Sequence, residues 1–161
     1  MAKRVWIWII RQPFPTMCAT FESTGTQHRP GRLIPIWRGN RFERVLWGGF
    51  ARSERLGWWQ GKGCLPVDVP ATKFAERSHK DGRLHWGDVP EGHVIRGLWD
   101  SSGPTPQVLI VTRPATLAEV EVFGHDRMPL LEAPLYSSVP IGPEPSEGAA
   151  PEGGPKQMEL F

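Results

Sequence analysis

The sequence predicts a mostly β protein of the α+β class, with irregular loops and a few short helices. Its apolar stretches are short, rich in β-branched and aromatic residues, and separated by Gly, Pro, Asn and Asp. The 161 residues include 17 Pro and 18 Gly, which interrupt the chain too often for long helices. Helical periodicity is weak. These observations favour a sheet-based core, and the chain length suits one domain.

Four stretches have the composition of core strands: residues 33–37, 45–47, 94–99 and 108–112. A helix is predicted over residues 114–122, PATLAEVEV, with Thr116 as its N-cap. A short helical turn is predicted near residues 53–59. From about residue 139 the chain is rich in Pro, Gly and Glu and poor in large apolar residues, so residues 139–161 are predicted to be a disordered tail.

Charge is balanced overall but unevenly distributed. Residues 1–60 hold ten Lys or Arg and three Asp or Glu, a net charge of +7. The last 21 residues hold one Lys and four Glu, a net charge of −3. A basic body with an acidic tail is typical of a protein with an anionic partner such as nucleic acid. An ordinary solvated surface is the alternative.

The two cysteines, Cys18 and Cys64, form no CxxC pair, which argues against a zinc ribbon or a disulfide scaffold. We therefore predict no metal and no cofactor, and a reduced, cytoplasmic location. The apolar run VWIWII at residues 5–10 is too short to cross a bilayer, and no small-residue cleavage site follows it.

The segment PTMCATFES places Met17 directly before Cys18. Either Cys18 is an ordinary small apolar residue in a strand, or Met17 is a second start whose removal leaves Cys18 with a free α-amine.

Three further segments contain residues that could do chemistry. In GHDRMPLL, His125 could transfer protons near neutral pH and Arg127 could hold a phosphate. The structural alternative is that His125 caps a turn and Arg127 pairs with Asp126. In VPATKFAER, Glu76 could be a general acid if an apolar pocket raised its pKa; otherwise it is a solvated strand residue.

In WGGFARSER and the residues after it, Arg52 and Arg55 are followed closely by Trp58 and Trp59. Cations interleaved with aromatic rings suit an unpaired nucleic-acid strand, with rings under bases and guanidinium groups on phosphates. Core tryptophans with surface arginines are the alternative.

Taken in order, these segments resemble the SRAP family, the SOS-response-associated peptidase-like proteins that sense abasic sites. The matching segments are Met17-Cys18-Ala19-Thr20-Phe21, RLIPIWR and Trp47-Gly48, Phe50-Ala51-Arg52-Ser53-Glu54, residues 69–76, Arg96-Gly97-Leu98-Trp99, residues 111–115 and the HDRMP of residues 125–129. The resemblance runs from Met17 to about Leu131. It implies a compact, irregular β-barrel or sheet core in a domain spanning residues 17–138.

The resemblance implies that Met17 is removed and that Cys18 is the N-terminal residue of the active protein. Its amine would form a Schiff base with the aldehyde of an abasic sugar, and its sulfur would close a thiazolidine on the same carbon. Residues 1–16 are then expected to be an over-extended gene start or a cleaved segment. By position, Cys18 would be the nucleophile, Glu76 would shuttle the ring-opening proton and His125 would assist at the sugar oxygen.

For DNA binding, the resemblance implies that Arg52 and Arg127 hold phosphates, with Trp47 and Thr20 also at DNA-binding positions. The chain departs from the family in several places. A family Asn that contacts the sugar or the amine falls on Phe50, which has no hydrogen-bonding side chain. A family Arg falls on Thr20, the segment after Trp47-Gly48 is shortened, and an Arg follows Glu76 where an aromatic residue is commoner.

The final residues, QMELF, resemble the Gln-x-x-Leu-Phe peptide that docks on the bacterial sliding clamp. Leu160 and Phe161 would fill an apolar pocket and Gln157 would bind at its rim.

The function expected from the sequence is a monomeric, nucleoid-associated sensor that crosslinks to abasic sites in single-stranded DNA and exposes its own N-terminal Cys by peptide cleavage. The alternative is a non-catalytic module that binds DNA or the clamp. A peptidase acting on other proteins is a third, weaker hypothesis.

Overall fold

The computed structural model of the chain describes residues 19–136. Within this range it contains eleven strands, one 3-10 turn and two short α-helices, which confirms the mostly β class. The predictions for the leading residues 1–16, for Cys18, for the tail and for its QMELF end lie outside the described residues. Neither helix in residues 19–136 has the length and hydropathy needed to cross a bilayer.

The strands are β1 (Thr20–Ser23), β2 (Thr26–His28), β3 (Leu33–Arg38), β4 (Arg41–Arg52), β5 (Leu65–Val69), β6 (Lys73–Arg77), β7 (Leu84–Asp88), β8 (Val94–Asp100), β9 (Gln107–Pro114), β10 (Arg127–Pro129) and β11 (Leu131–Glu132). The 3-10 turn covers Ser53–Arg55, and the helices are α1 (Leu56–Gly61) and α2 (Leu117–Phe123).

The larger sheet has the strand order β10-β9-β4-β3-β5-β8-β11. A further antiparallel pairing of β8 with β9 joins its two halves, so that β9, β4, β3, β5 and β8 form a closed ring. Within the ring β4 runs parallel to β9, while its other side pairs antiparallel with β3. The inward side chains, including Ile34, Val67 and Val108, are completely buried.

The smaller sheet has the order β2-β1-β6-β7, with antiparallel neighbours throughout. Its Phe21 and Phe74 belong to the same buried cluster as Trp47 and Ile110 of the larger sheet. The two sheets therefore share one core. The strand β6 lies inside the small sheet, hydrogen-bonded to β1 on one side and β7 on the other.

All four predicted strands are present as β3, β4, β8 and β9. β4 is much longer than expected, because its first half carries the charged residues Arg41, Glu43 and Arg44, which hide the strand pattern. Arg38 and Glu43 form a side-chain ion pair across the β3–β4 hairpin. The register of β4 against β9 shifts between Trp47 and Gly49, a bulge that bends the strand.

The predicted helix corresponds to α2, and Thr116 is its N-cap as predicted. The Thr116 hydroxyl accepts a hydrogen bond from the Glu119 amide, and the Glu119 carboxylate accepts one from the Thr116 amide, forming a capping box. Gly124 ends the helix with a φ of 63°, a left-handed conformation in which glycine has no Cβ penalty. The turn predicted near residues 53–59 is present as the 3-10 turn followed by α1.

A buried ion pair fixes the end of the described chain to the ring. The Arg96 guanidinium lies 2.6 Å from the Asp68 carboxylate, and both side chains are 4% exposed. Asp68 also accepts hydrogen bonds from the amides of Leu135 and Tyr136, while Arg96 donates to Glu132. The pair thereby holds β5, β8, β11 and the segment after β11 together.

Candidate active site

A small, largely apolar pocket lies where the two sheets meet. Three polar side chains contribute to its wall, those of Thr20, Glu76 and Thr112. The other lining residues are Ala19, Phe21, Trp47, Phe50, Phe74, Ile95, Ile110 and Pro129. Polar groups are scarce there, so a charged group in this wall has little solvation and few partners.

Among residues 19–136, Glu76 is the one ionisable residue that lines this pocket. It sits in the middle of β6 between buried neighbours, and it is itself only 5% exposed. Burial raises the pKa of its carboxyl from the ordinary 4.5 to about 8. Glu76 is therefore mainly protonated at neutral pH, in the form that can donate a proton to a substrate.

His125 stands beside Glu76, with its Nε2 4.0 Å from the Glu76 Oε2. Its other nitrogen, Nδ1, accepts a hydrogen bond from the Arg127 amide at 3.1 Å and lies 2.9 Å from the Arg127 carbonyl oxygen. The ring also packs against His79, with centroids 4.7 Å apart. These contacts close a tight turn and hold the imidazole with Nε2 directed at the carboxyl.

The chain that follows Cys18 enters the same pocket. Cys18 itself lies outside the described residues, but the next residue, Ala19, is 8% exposed and lines the wall that contains Glu76. In the adjoining ladder Thr20 pairs with Ala75, the residue before Glu76. The β1–β6 pairing thus brings the start of β1 alongside the strand that carries the acid.

The two predicted phosphate ligands differ in their surroundings. The Arg127 guanidinium binds the Glu54 carboxylate through two nitrogens, at 2.8 and 3.2 Å, and also donates to the carbonyl and hydroxyl of Thr112. Arg52 is exposed at the end of β4, opposite Thr112 in the parallel ladder. Arg52 is thus accessible to a phosphate, whereas Arg127 would have to exchange or share its link to Glu54. The suggested pairing of Arg127 with Asp126 is not the one found.

The other two predicted DNA-binding residues are part of the pocket wall. Trp47 is 1% exposed and its indole N–H donates to the Gly49 carbonyl, so its ring packs in the core and is not on the outer surface. Thr20 is 5% exposed. Phe50 packs edge-on against Trp47 and also lines the pocket. Phe50 therefore contributes an aromatic ring, with no hydrogen-bonding group, to the pocket wall.

Among residues 19–136, donor atoms of His79, His125 and Asp126 lie within 4.8 Å of one another. This is the one group there with the spacing that a metal ion needs, but His79 and Asp126 are exposed and Asp126 is next to His125 in sequence. Chain proximity and solvent exposure account for the group, and we assign no metal to it.

Two residues at the site were not predicted. Thr112 was seen only as the end of a strand, and Glu54 only as part of the ARSE motif, yet both bind Arg127. The signal for Thr112 was weak, because a Thr at a strand end is common. Glu54 could have been paired with Arg127 from the two motifs alone. Comparison of the chain with models of protein families and with curated proteins found no match.

Proposed function

We propose that the protein captures abasic sites in single-stranded DNA through Cys18, forming a covalent thiazolidine with the aldehyde of the damaged sugar. The observation that carries the proposal is the buried, protonated Glu76 beside His125, in a pocket that also receives the residue after Cys18. A neutral carboxylic acid in an apolar wall is expensive to maintain for stability alone, and such groups cluster at functional sites.

The chemistry needs an acid first and a base later. Glu76 donates its proton to the sugar ring oxygen as the ring opens, and its carboxylate takes up the proton of the anomeric hydroxyl, so the aldehyde is released and the acid is regenerated. The Cys18 amine adds to the aldehyde carbon, and a proton from Glu76 lets the hydroxyl leave as water, giving an imine. The Cys18 thiol then adds across the C=N bond, its proton passing to nitrogen, and the ring closes. The sum is aldehyde, amine and thiol giving thiazolidine and one water.

His125 helps to transfer protons to and from Glu76 and does not itself attack the sugar. Its Nε2 lies 4.0 Å from the Glu76 carboxyl, which suits relay of a proton between solvent and the buried acid. Its side chain is 16% exposed against 7% for Glu76, so it lies on the solvent side of the pair. The apolar wall favours loss of water from the carbinolamine and slows rehydration of the imine.

The test uses protein whose first residue is Cys18 and a single-stranded oligonucleotide with one abasic site. We expect a heat-stable, slower-migrating band with the native residue and none with Cys18→Ala. Cys18→Ser is the matched control, since it keeps the amine but lacks the sulfur and should give only a borohydride-trappable imine. A heat-stable band of undiminished intensity from Cys18→Ala would overturn the mechanism.

The requirement for a free α-amine on Cys18 is tested separately. Protein that retains residues 1–17 has Cys18 in a peptide bond, so it should not crosslink until the Met17–Cys18 bond is hydrolysed. Intact mass measured during incubation should show loss of the leading segment before any crosslink forms. Crosslinking by the uncleaved chain would contradict the proposal. A Glu76→Gln variant that still loses the segment would show that cleavage does not use this site.

The second candidate is a non-catalytic module that binds DNA or the sliding clamp. Two observations favour this candidate. Phe50 places no amide in the pocket wall, and Glu54 already binds Arg127, so fewer polar groups are available to bind a sugar and its phosphates. On this hypothesis deleting Gln157 to Phe161 should abolish clamp binding and the cellular phenotype, whereas Cys18→Ala should change neither.

A further inference from the structure

Trp58 stands out on the surface of α1. Among the described residues it and Trp86 are the two tryptophans with the most exposed side chains, at 48% and 38%. Single exposed apolar side chains are common on protein surfaces, so exposure alone does not mark a contact surface, and the groups that hold and flank this ring decide whether it is one.

The ring of Trp58 is supported from behind. Trp59 meets it edge-on with centroids 4.7 Å apart and an interplanar angle of 84°. Trp59 packs against a buried cluster that includes Cys64 and Val111, and its carbonyl accepts the Cys64 amide. α1 is therefore anchored to the ring of strands by one tryptophan while it presents the other.

Two cations flank the exposed ring. The Lys62 Nζ lies 4.1 Å from its centroid and the Arg55 guanidinium carbon lies 5.8 Å from it. Both side chains belong to exposed residues, as does Arg52 just before the 3-10 turn. Of the nearby acids, Glu54 is paired with Arg127, whereas Asp100 keeps its negative charge because Ser102 and Gln107 are neutral partners, so the cations of Arg52, Arg55 and Lys62 are opposed by one unpaired carboxylate. The surface around Trp58 is thus net positive.

This surface is connected to the candidate active site through the ion pair of Glu54 and Arg127. Glu54 binds Arg127, which is two residues from His125, and Trp58 follows Glu54 by four residues of 3-10 and α-helix. Four such residues place Trp58 about 6–8 Å along the chain from Glu54. A strand entering the pocket could therefore pass over α1.

We propose that Trp58 is a stacking platform for a base of single-stranded DNA close to the captured site, with Lys62 and Arg55 contacting the adjoining phosphates. The inference rests on the proposed function and adds to it the binding residues outside the pocket. On binding, a base takes the place of the Lys62 ammonium on the face of the Trp58 ring, and the ammonium moves to a phosphate. The cation–π contact of the free protein is thereby exchanged for base stacking and a phosphate contact, which are stronger.

The probe is a short, undamaged, fluorescently labelled oligo(dT), whose binding is followed by anisotropy. Trp58→Ala should weaken binding about 5- to 50-fold, and Trp58→Phe should restore most of the loss because a phenyl ring also stacks. Trp86→Ala is the matched control, since it removes a similarly exposed indole from β7 and should leave affinity unchanged. Circular dichroism should show that all three variants keep the native fold.

Lys62→Ala gives a second, independent readout. Loss of one phosphate contact should lower the slope of log Kd against log salt by about one. Unchanged affinity in Trp58→Ala, or equal losses in Trp58→Ala and Trp86→Ala, would overturn the inference. Because undamaged DNA is used, this result is separate from the Cys18 test: crosslinking can persist without the platform, and the platform can bind without crosslinking.

Discussion

Glu76 and His125 lie 49 residues apart in sequence, and the fold brings Oε2 of one within 4.0 Å of Nε2 of the other. The carboxyl is buried in an apolar wall, and the imidazole beside it is somewhat more exposed, at 16% against 7%. This pair of a buried acid and a half-buried base determines how the crosslinking rate and the free energy of unfolding should depend on pH.

The first prediction concerns the rate of crosslinking. Glu76→Gln keeps the shape and neutrality of the side chain but cannot donate an acidic proton, so the rate should fall about 10²- to 10⁴-fold. In the native protein the rate should decline as pH rises through about 8, because the protonated acid is lost. Gel analysis of time courses across pH 6–9 measures both. A rate in Glu76→Gln close to the native rate would remove Glu76 from the mechanism.

The second prediction concerns stability and pH. The pKa of Glu76 is about 8 in the folded protein against an ordinary 4.5, so the folded state binds this proton more tightly than the unfolded state does. The contribution is complete below about pH 4.5 and is lost as pH rises toward 8. The free energy of unfolding should therefore fall by about 1 kcal/mol for each pH unit in this window.

Other carboxylates affect the free energy of unfolding in a different pH range. Hydrogen bonds from Arg113 lower the pKa of Glu119 to about 2, so its stabilisation is lost only as pH falls below about 4.5. Groups that do not contact Glu76 contribute equally to the native protein and to Glu76→Gln. Urea denaturation of both proteins at several pH values therefore isolates Glu76, and parallel curves would contradict the raised pKa.

The third prediction concerns Phe50, the aromatic residue that lines the pocket beside Trp47. Phe50→Asn would place a donor and an acceptor in the pocket wall, where they could hold the sugar hydroxyl or the amine. We expect faster crosslinking at saturating DNA, together with a loss of stability of about 2–4 kcal/mol, because a ring packed against Trp47 is removed. Phe50→Leu is the control, since it should lose stability without gaining rate. Equal rates in the two variants would show that the amide is not needed here.

The fourth prediction concerns the buried ion pair. Asp68→Ala leaves the buried Arg96 guanidinium with only the half-exposed Glu132 carboxylate as an ionic partner, and it frees two backbone amides of residues 135 and 136. The cost should be about 3–5 kcal/mol in the free energy of unfolding. Arg41→Ala is the control, because Arg41 meets Glu43 only at 3.6 Å with a side chain that is 70% exposed, and its loss should cost less than about 0.5 kcal/mol. A similar loss in the two variants would mean that the buried pair contributes no more than a surface pair.

Much of the fold could be predicted from the sequence because its signals are local. Short apolar runs bounded by Gly and Pro mark β3, β8 and β9, and the Thr116 to Glu119 spacing marks the start of α2. The full length of β4 could not be predicted, because its exposed, charged half has no apolar alternation.

The site was only partly predictable, because burial depends on which strands meet. Glu76 lies in a strand with Arg and Lys at its ends, and nothing local distinguishes it from a solvated Glu. Its raised pKa follows from packing of the small sheet against the ring. Likewise, nothing in the sequence next to Asp68 indicates that Arg96 faces it, since the contact depends on the β5–β8 register.

The pairing of β8 with β9 has a consequence for solubility. VIRGLWD and QVLIVTRP are the kinds of apolar, β-branched segment that add to one another when a strand edge is free. In the closed ring each has hydrogen-bonded neighbours on both sides, so neither offers a template to another chain. The free edges of the small sheet are the three-residue β2 and the β7 strand with its His85 and Asp88, which are poor nuclei for aggregation.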